Sequence, residues 1–341
     1  MFAIFKSPSR TVSNGEIYLT LLALIVGYVA LAVVGCSVTS WKSTFGRYHP
    51  LSGRIWDVSS AGFIDRQNLI TRLVRADFLL LGERHDNPDH RLLQAEVLRS
   101  LIALGRRPAV GFEMFGLDDA NAIANHLAFA PNDAAGLGRA VNWEKSGWPD
   151  WAMYQPVAEA ALQASLQIVA TNLPLATARK MNSDGLAALG PSVKRELGLD
   201  RPLSDAMFAT MATDIRDSHC GYASEESVKA MVDVQRARDA QMAQSLIAAG
   251  NPDGAVLVAG AGHVRNDYGI PVYLTAKAAG KQVISIAFVE VDDQKPEPRN
   301  YALANERLPF DYVWFTARVD DENPCEKFKS QFENLKKRRD K

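Results

Sequence analysis

Three short apolar runs in this chain end in the same way, and that repetition constrains its fold more than any other feature. Phe78-Leu79-Leu80-Leu81 leads into Gly82-Glu83-Arg84-His85-Asp86-Asn87-Pro88-Asp89-His90. Ala109-Val110-Gly111-Phe112 leads into Glu113-Met114, and Ala255-Val256-Leu257-Val258-Ala259 into Gly260-Ala261-Gly262-His263. Continuous apolar runs of this length, bounded by turn residues, are the signature of buried strands. Polar groups just beyond the carboxyl ends of such strands face the crevice where open α/β sheets take ligands. Three endings of one kind can therefore converge on a single site.

Between these runs the spacing is helical. Leu69, Ile70, Leu73 and Val74 share one face of a segment from Asp65 to Arg75, and Pro88 suits the first turn of a helix reaching Leu104. Asp118 to Ala130 continues as a helix, and a tryptophan-rich passage (Trp143, Trp148, Trp151, Met153, Tyr154) leads into another. Strands are expected near 54–58, 167–172, 271–274, 282–291 and 310–319. The alternation of strand and helix with short loops implies a mostly parallel central sheet flanked by helices. Residues 175–250 hold no convincing strand and form a helical block. The expected division is an α/β domain over 54–174 and 251–320, a smaller helical insertion domain over 175–250, and a basic tail over 321–341. From Glu326 that tail carries seven Lys or Arg against three acids, which suits a solvated helix or contact with anionic headgroups.

The first 35 residues have a different grammar. Lys6 and Arg10 precede 19 uncharged residues from Ile17 to Gly35, and Cys36 follows. A positive start, an apolar core and a small residue before the break describe a signal peptide. Val33-Val34-Gly35-Cys36 resembles a bacterial lipobox, so the expectation is lipidation (palmitate) at Cys36 and a tether over 36–53; an uncleaved transmembrane anchor is the alternative. Both readings put the rest of the chain outside the cytoplasm. The anchor is expected in the bacterial cell envelope, at the outer membrane facing the periplasm, because Ser37 lacks the aspartate that commonly retains lipoproteins at the inner membrane. A net charge of −1 over 341 residues excludes nucleic acid as an expected partner. Cys220 and Cys325 are open to pairing or to remaining free.

Glu83, His85, Glu113 and His263 form the candidate constellation. Two carboxylates and two imidazoles are suitable ligands for a divalent metal. Without metal the same set can act as the general acid and base of a hydrolase. Arg84 and Arg265 lie close enough in sequence to clamp an anionic substrate or a propionate, and His90 supports the site or faces solvent. Gly260-Ala261-Gly262 lacks the third glycine of a dinucleotide fingerprint.

Taken together, Leu81-Gly82-Glu83-Arg84-His85-Asp86-Asn87 with His90, Gly111-Phe112-Glu113-Met114, Asp217-Ser218-His219-Cys220-Gly221, the stretch from Gln235 to Ala243, and Gly260-Ala261-Gly262-His263 resemble the ChaN-type haem-binding lipoprotein family. The resemblance spans about residues 54–290. It implies an α/β domain with a smaller helical one, a lipid anchor, and haem held between paired subunits of a homodimer. It also implies a part in haem or iron acquisition, with an outer-membrane haem or iron receptor as partner. The wider superfamily includes erythromycin-esterase-like and Tiki-like hydrolases that use Glu and His at these strand ends. A non-enzymatic haem binder is thus the first expectation and a hydrolase the second. A haem site needs an axial ligand and an apolar slot. Tyr154 and His219 are the candidate ligands, with Tyr222 beside His219. Trp148 and Trp151 offer flat surfaces, and Arg265, His85 and His263 complete the expected cofactor-binding set. Arg236 and Arg238, on an amphipathic helix, are open to contact with propionates.

Overall fold

A computed structural model describes residues 40–302, 307–327 and 329. The expected signal segment and Cys36 lie outside the described residues. Among the described residues eight strands form one sheet: β1 (Ile55–Asp57), β2 (Gly62–Ile64), β3 (Phe78–Glu83), β4 (Ala109–Gly116), β5 (Ile168–Asn172), β6 (Ala255–Gly260), β7 (Val283–Glu290) and β8 (Tyr312–Thr316), in the order β2-β1-β8-β7-β3-β6-β4-β5. The five strands β8, β7, β3, β6, β4 and their neighbour β5 run parallel, whereas β1 pairs antiparallel with both β8 and β2. The mostly parallel α/β sheet expected from the sequence is the sheet observed.

Alternation explains why the central strands are apolar throughout. Leu79 and Leu81 enter one core layer, with Leu93, Leu98 and Val157; Phe78 and Leu80 enter the opposite layer, with Ala240, Leu246 and Leu274. Both faces of β3 are thus covered, which is what a parallel sheet requires. The first layer is built by α1 (Arg66–Leu73), α2 (Pro88–Ala103), α3 (Ala120–Phe129), α4 (Ala134–Ala140) and α5 (Trp151–Gln163). Asn87 caps α2 by accepting from Asp89 N–H, with Pro88 at its start as the sequence suggested.

The block from 175 to 250 is helical, comprising α6 (Leu175–Asp184), α7 (Gly190–Leu197), α8 (Asp205–Ser218) and α9 (Glu225–Ala248). It shares a core with the sheet rather than standing apart as a separate domain: Ala237, Ala240, Met242, Ala243 and Leu246 of α9 pack with Leu257 and Ala259 of β6. The strand expected at 271–274 is instead part of α10 (Ile270–Lys277). Pro271 sits in its first turn, where a missing N–H costs nothing, and Ile270 and Leu274 lie one helical turn apart in the core.

Residues 41–53 are not a free tether. Asp89 accepts hydrogen bonds from the backbone N–H of Lys42 (2.7 Å) and Ser43 (2.8 Å), Leu51 is buried, and Phe45 bridges to Arg318. Cys220 and Cys325 form a disulfide with a Cα separation of 5.6 Å, joining the end of α8 to the segment after β8. Among the described residues no helix is long and apolar enough to cross a membrane.

Candidate functional site

The parallel register sets the site. Glu83, last in β3, is opposite Gly260, last in β6, and Phe112 of β4 is opposite Val258. Glu83, Glu113 and the turn after β6 therefore meet at one edge of the sheet. The β4–β5 register shifts between Phe112 and Gly116. Such an irregularity re-aims a side chain, and here it accompanies the turn of Glu113 toward Gly260, whose N–H donates to Glu113 Oε2 at 2.6 Å. Gly82 is needed for the close approach of the β6 turn: a Cβ there would come within 2.3 Å of Val264 Cγ2 and 3.0 Å of Ala261 Cα. Gly260 does the same for the imidazole, since its Cβ would lie 2.9 Å from His85 Nε2.

Glu83 is buried and fully engaged. Its Oε2 accepts from Arg91 Nη1 at 2.5 Å and Gln94 Nε2 at 2.8 Å, while its Oε1 meets His85 Nδ1 at 2.9 Å and the Tyr154 hydroxyl at 3.3 Å. Arg91, with no exposed side-chain surface, also donates to the His85 carbonyl at 2.6 Å and the Tyr154 hydroxyl at 2.8 Å. Glu113 pairs with Arg238 Nη2 at 2.6 Å and faces His263 Nε2 at 3.2 Å. The other ring nitrogen of His263 is held by Asp239, on α9, and touches the Gln235 amide at 2.9 Å. The two halves meet where His85 Nε2 stands 3.9 Å from Glu113 Oε2.

This geometry fixes the charges. Burial by itself pulls His263 down, but Glu113 and Asp239 on its two ring nitrogens prevail and raise it to about 9. Burial opposes ionisation of Glu113 as well, yet His263 and Arg238 hold it well below the usual carboxylate range. Burial raises Asp239 to about 6 against the pull of His263. For His85, burial is again outweighed by Glu113 and Glu83, and its pKa moves up. Glu83, Glu113 and Asp239 thus face the Arg91 and Arg238 guanidiniums and the His263 imidazolium in one network of alternating charge. His85 is its outlet: its side chain is 34% exposed and stands edge-on to Trp148 with ring centres 4.9 Å apart.

The four residues singled out from the sequence are thus brought together, but not as a metal cage. An imidazolium with both nitrogens protonated has no lone pair for a metal, and the carboxylate oxygens already accept from guanidinium, amide and backbone donors. Among the described residues no group of three or more His, Cys, Asp or Glu is placed to hold a metal ion.

Several other expectations change. Tyr154, expected as an axial ligand, has no exposed surface, and its hydroxyl is enclosed by Arg91 and Glu83. Burial, then Glu83, push its phenol up, away from the phenolate a ferric ion would take. His219 lies at the carboxyl end of α8, with Nδ1 2.8 Å from the Ile215 carbonyl, beside the disulfide rather than in the strand-end cluster. Arg265 is paired with Asp214 at 2.9 Å and Asp267 at 2.7 Å. Arg84 turns to Asp86 at 2.7 Å and to Glu290. His90 is fully buried: it accepts from Arg84 N–H at 2.9 Å and meets the Thr316 hydroxyl at 2.9 Å. Burial, with Arg91 and Arg84 nearby, holds it well below the usual imidazole range, so it is neutral.

Next to the cluster the tryptophan passage lines an open cleft of about 780 Å³, with Trp143, Trp148 and Trp151 on its walls and Arg139 and Lys145 among its lining residues. Trp151 is fixed there by its indole N–H, which donates to the Ala134 carbonyl at 2.9 Å, and by Gly138, where a Cβ would come 2.6 Å from the indole. Trp148 belongs both to this cleft and to a smaller one of about 390 Å³ that opens on Glu113 and Arg238. Sequence reasoning missed Arg91 and Gln94. The available signal was slight: His90, Arg91 and Gln94 fall at positions i, i+1 and i+4, on the side of the helix that also carries Leu93, Val97 and Leu98.

The family model described as haem-binding uptake, Tiki superfamily, ChaN matches residues 69–274. The curated Protein RETICULATA-RELATED 5, chloroplastic, of Arabidopsis thaliana is 22% identical over 303 residues, 81% of this chain. The chain spans only 39% of that protein's length. Among solved structures, one of ChaN of Campylobacter jejuni, described for its cofacial heme binding, superposes with a TM-score of 0.60 at 21% identity. That match covers 76% of this chain and 95% of the Campylobacter chain, and it shows a shared fold.

Proposed function

Because this chain belongs to the ChaN family of the Tiki superfamily, we propose that it binds haem and serves haem or iron acquisition. The observation that carries the reading is the family match over residues 69–274, which takes in Glu83, His85, Glu113, Trp148 and His263. The residues present fit such a group. Haem needs an apolar slot and benefits from cations near its carboxylates; the cleft supplies tryptophan walls with Lys145 and Arg139. Of the imidazoles in the cluster, His85 is the accessible one. With Nδ1 on Glu83, its Nε2 is left for a ligand, the arrangement in which a carboxylate fixes the tautomer of a metal-binding histidine. When bound, haem would supply the iron centre; the protein would hold it, exclude water from one face and balance its carboxylates.

The proposal extends to place and assembly. The uncharged stretch ending at Gly35-Cys36 supports a lipid on Cys36 and attachment in the bacterial envelope, with the outer membrane facing the periplasm favoured. The Cys220–Cys325 disulfide supports an oxidising compartment. A homodimer sharing haem, and a haem or iron receptor as partner, complete the reading.

One observation favours a second reading. An accessible imidazole backed by a buried carboxylate is also a general base, so His85 with Glu83 would suit a hydrolase. A haemin titration of the purified full chain, followed by Soret absorbance, separates the two. A saturable Soret shift, weakened by His85→Ala and Trp148→Ala, is expected. A flat titration, together with turnover of a carboxylic-ester panel that Glu83→Gln abolishes, would replace haem binding by hydrolysis.

A further inference from the structure

On the far flank of α9, Arg236 presents a problem that the strand-end network does not solve. Its side chain lies deep in the protein (7% exposed), and it donates to the Arg201 carbonyl, a neutral group. Its Nε–H has no partner. Among the described residues no carboxylate lies within ion-pair distance of it. Asp239, on the next turn of α9, is held by His263. Asp233, on the previous turn, lies near enough for the Arg236 charge to act on its carboxyl, though burial prevails and raises it, and the two form no ion pair. Tyr273 takes a hydrogen bond from Arg236, but burial pushes its phenol up, so this partner is neutral too. A buried guanidinium with no carboxylate bonded to it and one N–H unpartnered is unfavourable.

The same side chain lines a cleft of about 440 Å³ that shares no residue with the tryptophan cleft. Exposed Arg195 and Arg201 also line it, with no carboxylate partner among the described residues, and Ser204 at the start of α8 lines it as well. Lys277 is already bonded to the Glu196 carbonyl at 2.5 Å and Gln244 at 2.8 Å. Asp200 in the lining and Asp205 in the first turn of α8 oppose an anion, but three guanidiniums outweigh them. Leu197, Leu203, Val272 and Tyr273 give the cleft an apolar wall. We propose that this cleft binds a small organic phosphate, its phosphate taken by Arg236, Arg201 and Arg195 and its apolar body laid against Tyr273 and Leu203. Guanidinium forks and a helix start match phosphate oxygens, and the bound anion supplies the bonded negative partner that Arg236 lacks.

The test is calorimetric titration of the full chain with phenyl phosphate, and with inorganic phosphate for comparison, at physiological salt. Phenyl phosphate should bind saturably and more tightly than inorganic phosphate. The exposed double variant Arg195→Gln/Arg201→Gln should weaken it by about tenfold, and Arg236→Gln by at least as much. Should Arg236→Gln fail to fold, the double variant still decides. Soret titration with haemin should be the same in wild type and double variant, so a failed haem reading and a failed phosphate site are told apart. The proposal is overturned by no heat at concentrations about tenfold above a millimolar Kd. It is equally overturned by binding that both variants leave unchanged. A loss of haemin binding in the double variant would assign these arginines to haem carboxylates instead, and the phosphate site would fall.

Discussion

Replacing Glu113 by Gln tests whether the strand-end network is held together by charge. The substitution keeps the shape of a side chain that is 1% exposed. The amide oxygen can still accept the Gly260 N–H, but the amide NH2 then faces Arg238 and His263, formerly bonded at 2.6 and 3.2 Å. Two charge-assisted contacts are lost, each worth about 1.5–3 kcal/mol, and two cations are left buried with less counter-charge. The expected destabilisation at pH 7 is about 3–5 kcal/mol, as for breaking a buried pair from one side. The pH dependence is the sharper criterion. His263 titrates near 6.5 when unfolded and is raised to about 9 in the fold. Its contribution, of the order of 3 kcal/mol, is therefore complete below about pH 6.5 and lost as pH rises through about 9. Glu113 is the largest influence raising it, so the variant loses most of that window. Urea unfolding of both proteins between pH 6 and 10 should show a large gap at pH 6–7 that narrows by pH 10. A gap below about 1 kcal/mol at pH 7, or one that stays constant across the range, would refute the charge assignment.

Other consequences are as direct. Tyr154→Phe removes a hydroxyl between Arg91 and Glu83; it should cost about 1–3 kcal/mol in urea unfolding and leave haemin binding intact, whereas a ligand role would abolish the Soret response. Gly260→Ala would push a methyl to within 2.9 Å of His85 Nε2, so haemin affinity should fall with little change in the far-ultraviolet circular dichroism. Reducing Cys220–Cys325, which closes a loop over a sequence separation of 105, should lower stability by up to about 4–5 kcal/mol on loop entropy. Equal unfolding midpoints with and without reductant would show the bond to be energetically idle.

The sheet was legible because its strands are buried on both faces, so hydrophobicity alone marked them, and glycine with a titratable residue marked their ends. The convergence of Glu83, His85, Glu113 and His263 followed from that same grammar. Contacts made by helices across the sheet edge left no comparable mark. Arg91 and Gln94 sit in α2 among leucines, and nothing local says that they reach back to β3. Tyr154 carries a phenol that suits ferric iron, but Asp150 starts α5 by accepting from Ala152 N–H, which turns position 154 inward. Ile270-Pro271-Val272-Tyr273-Leu274 has the β-branched and aromatic content of a strand, and tertiary packing overrides that preference in favour of helix. The pairing of Cys220 with Cys325 joins segments too far apart in sequence for spacing to reveal.

The position of β3 has a consequence for how the molecule is made. This strand opens with Phe78, yet its neighbours on either side begin at Ala255 and Val283. At roughly 5–20 residues per second, synthesis needs about 10–35 s to deliver the first of them. Throughout that interval an apolar strand with both edges open waits in the nascent chain, a template for pairing with other chains. Production of the protein should therefore depend on cellular factors that shield emerging chains, and overexpression should overload them before the second half of the sheet arrives.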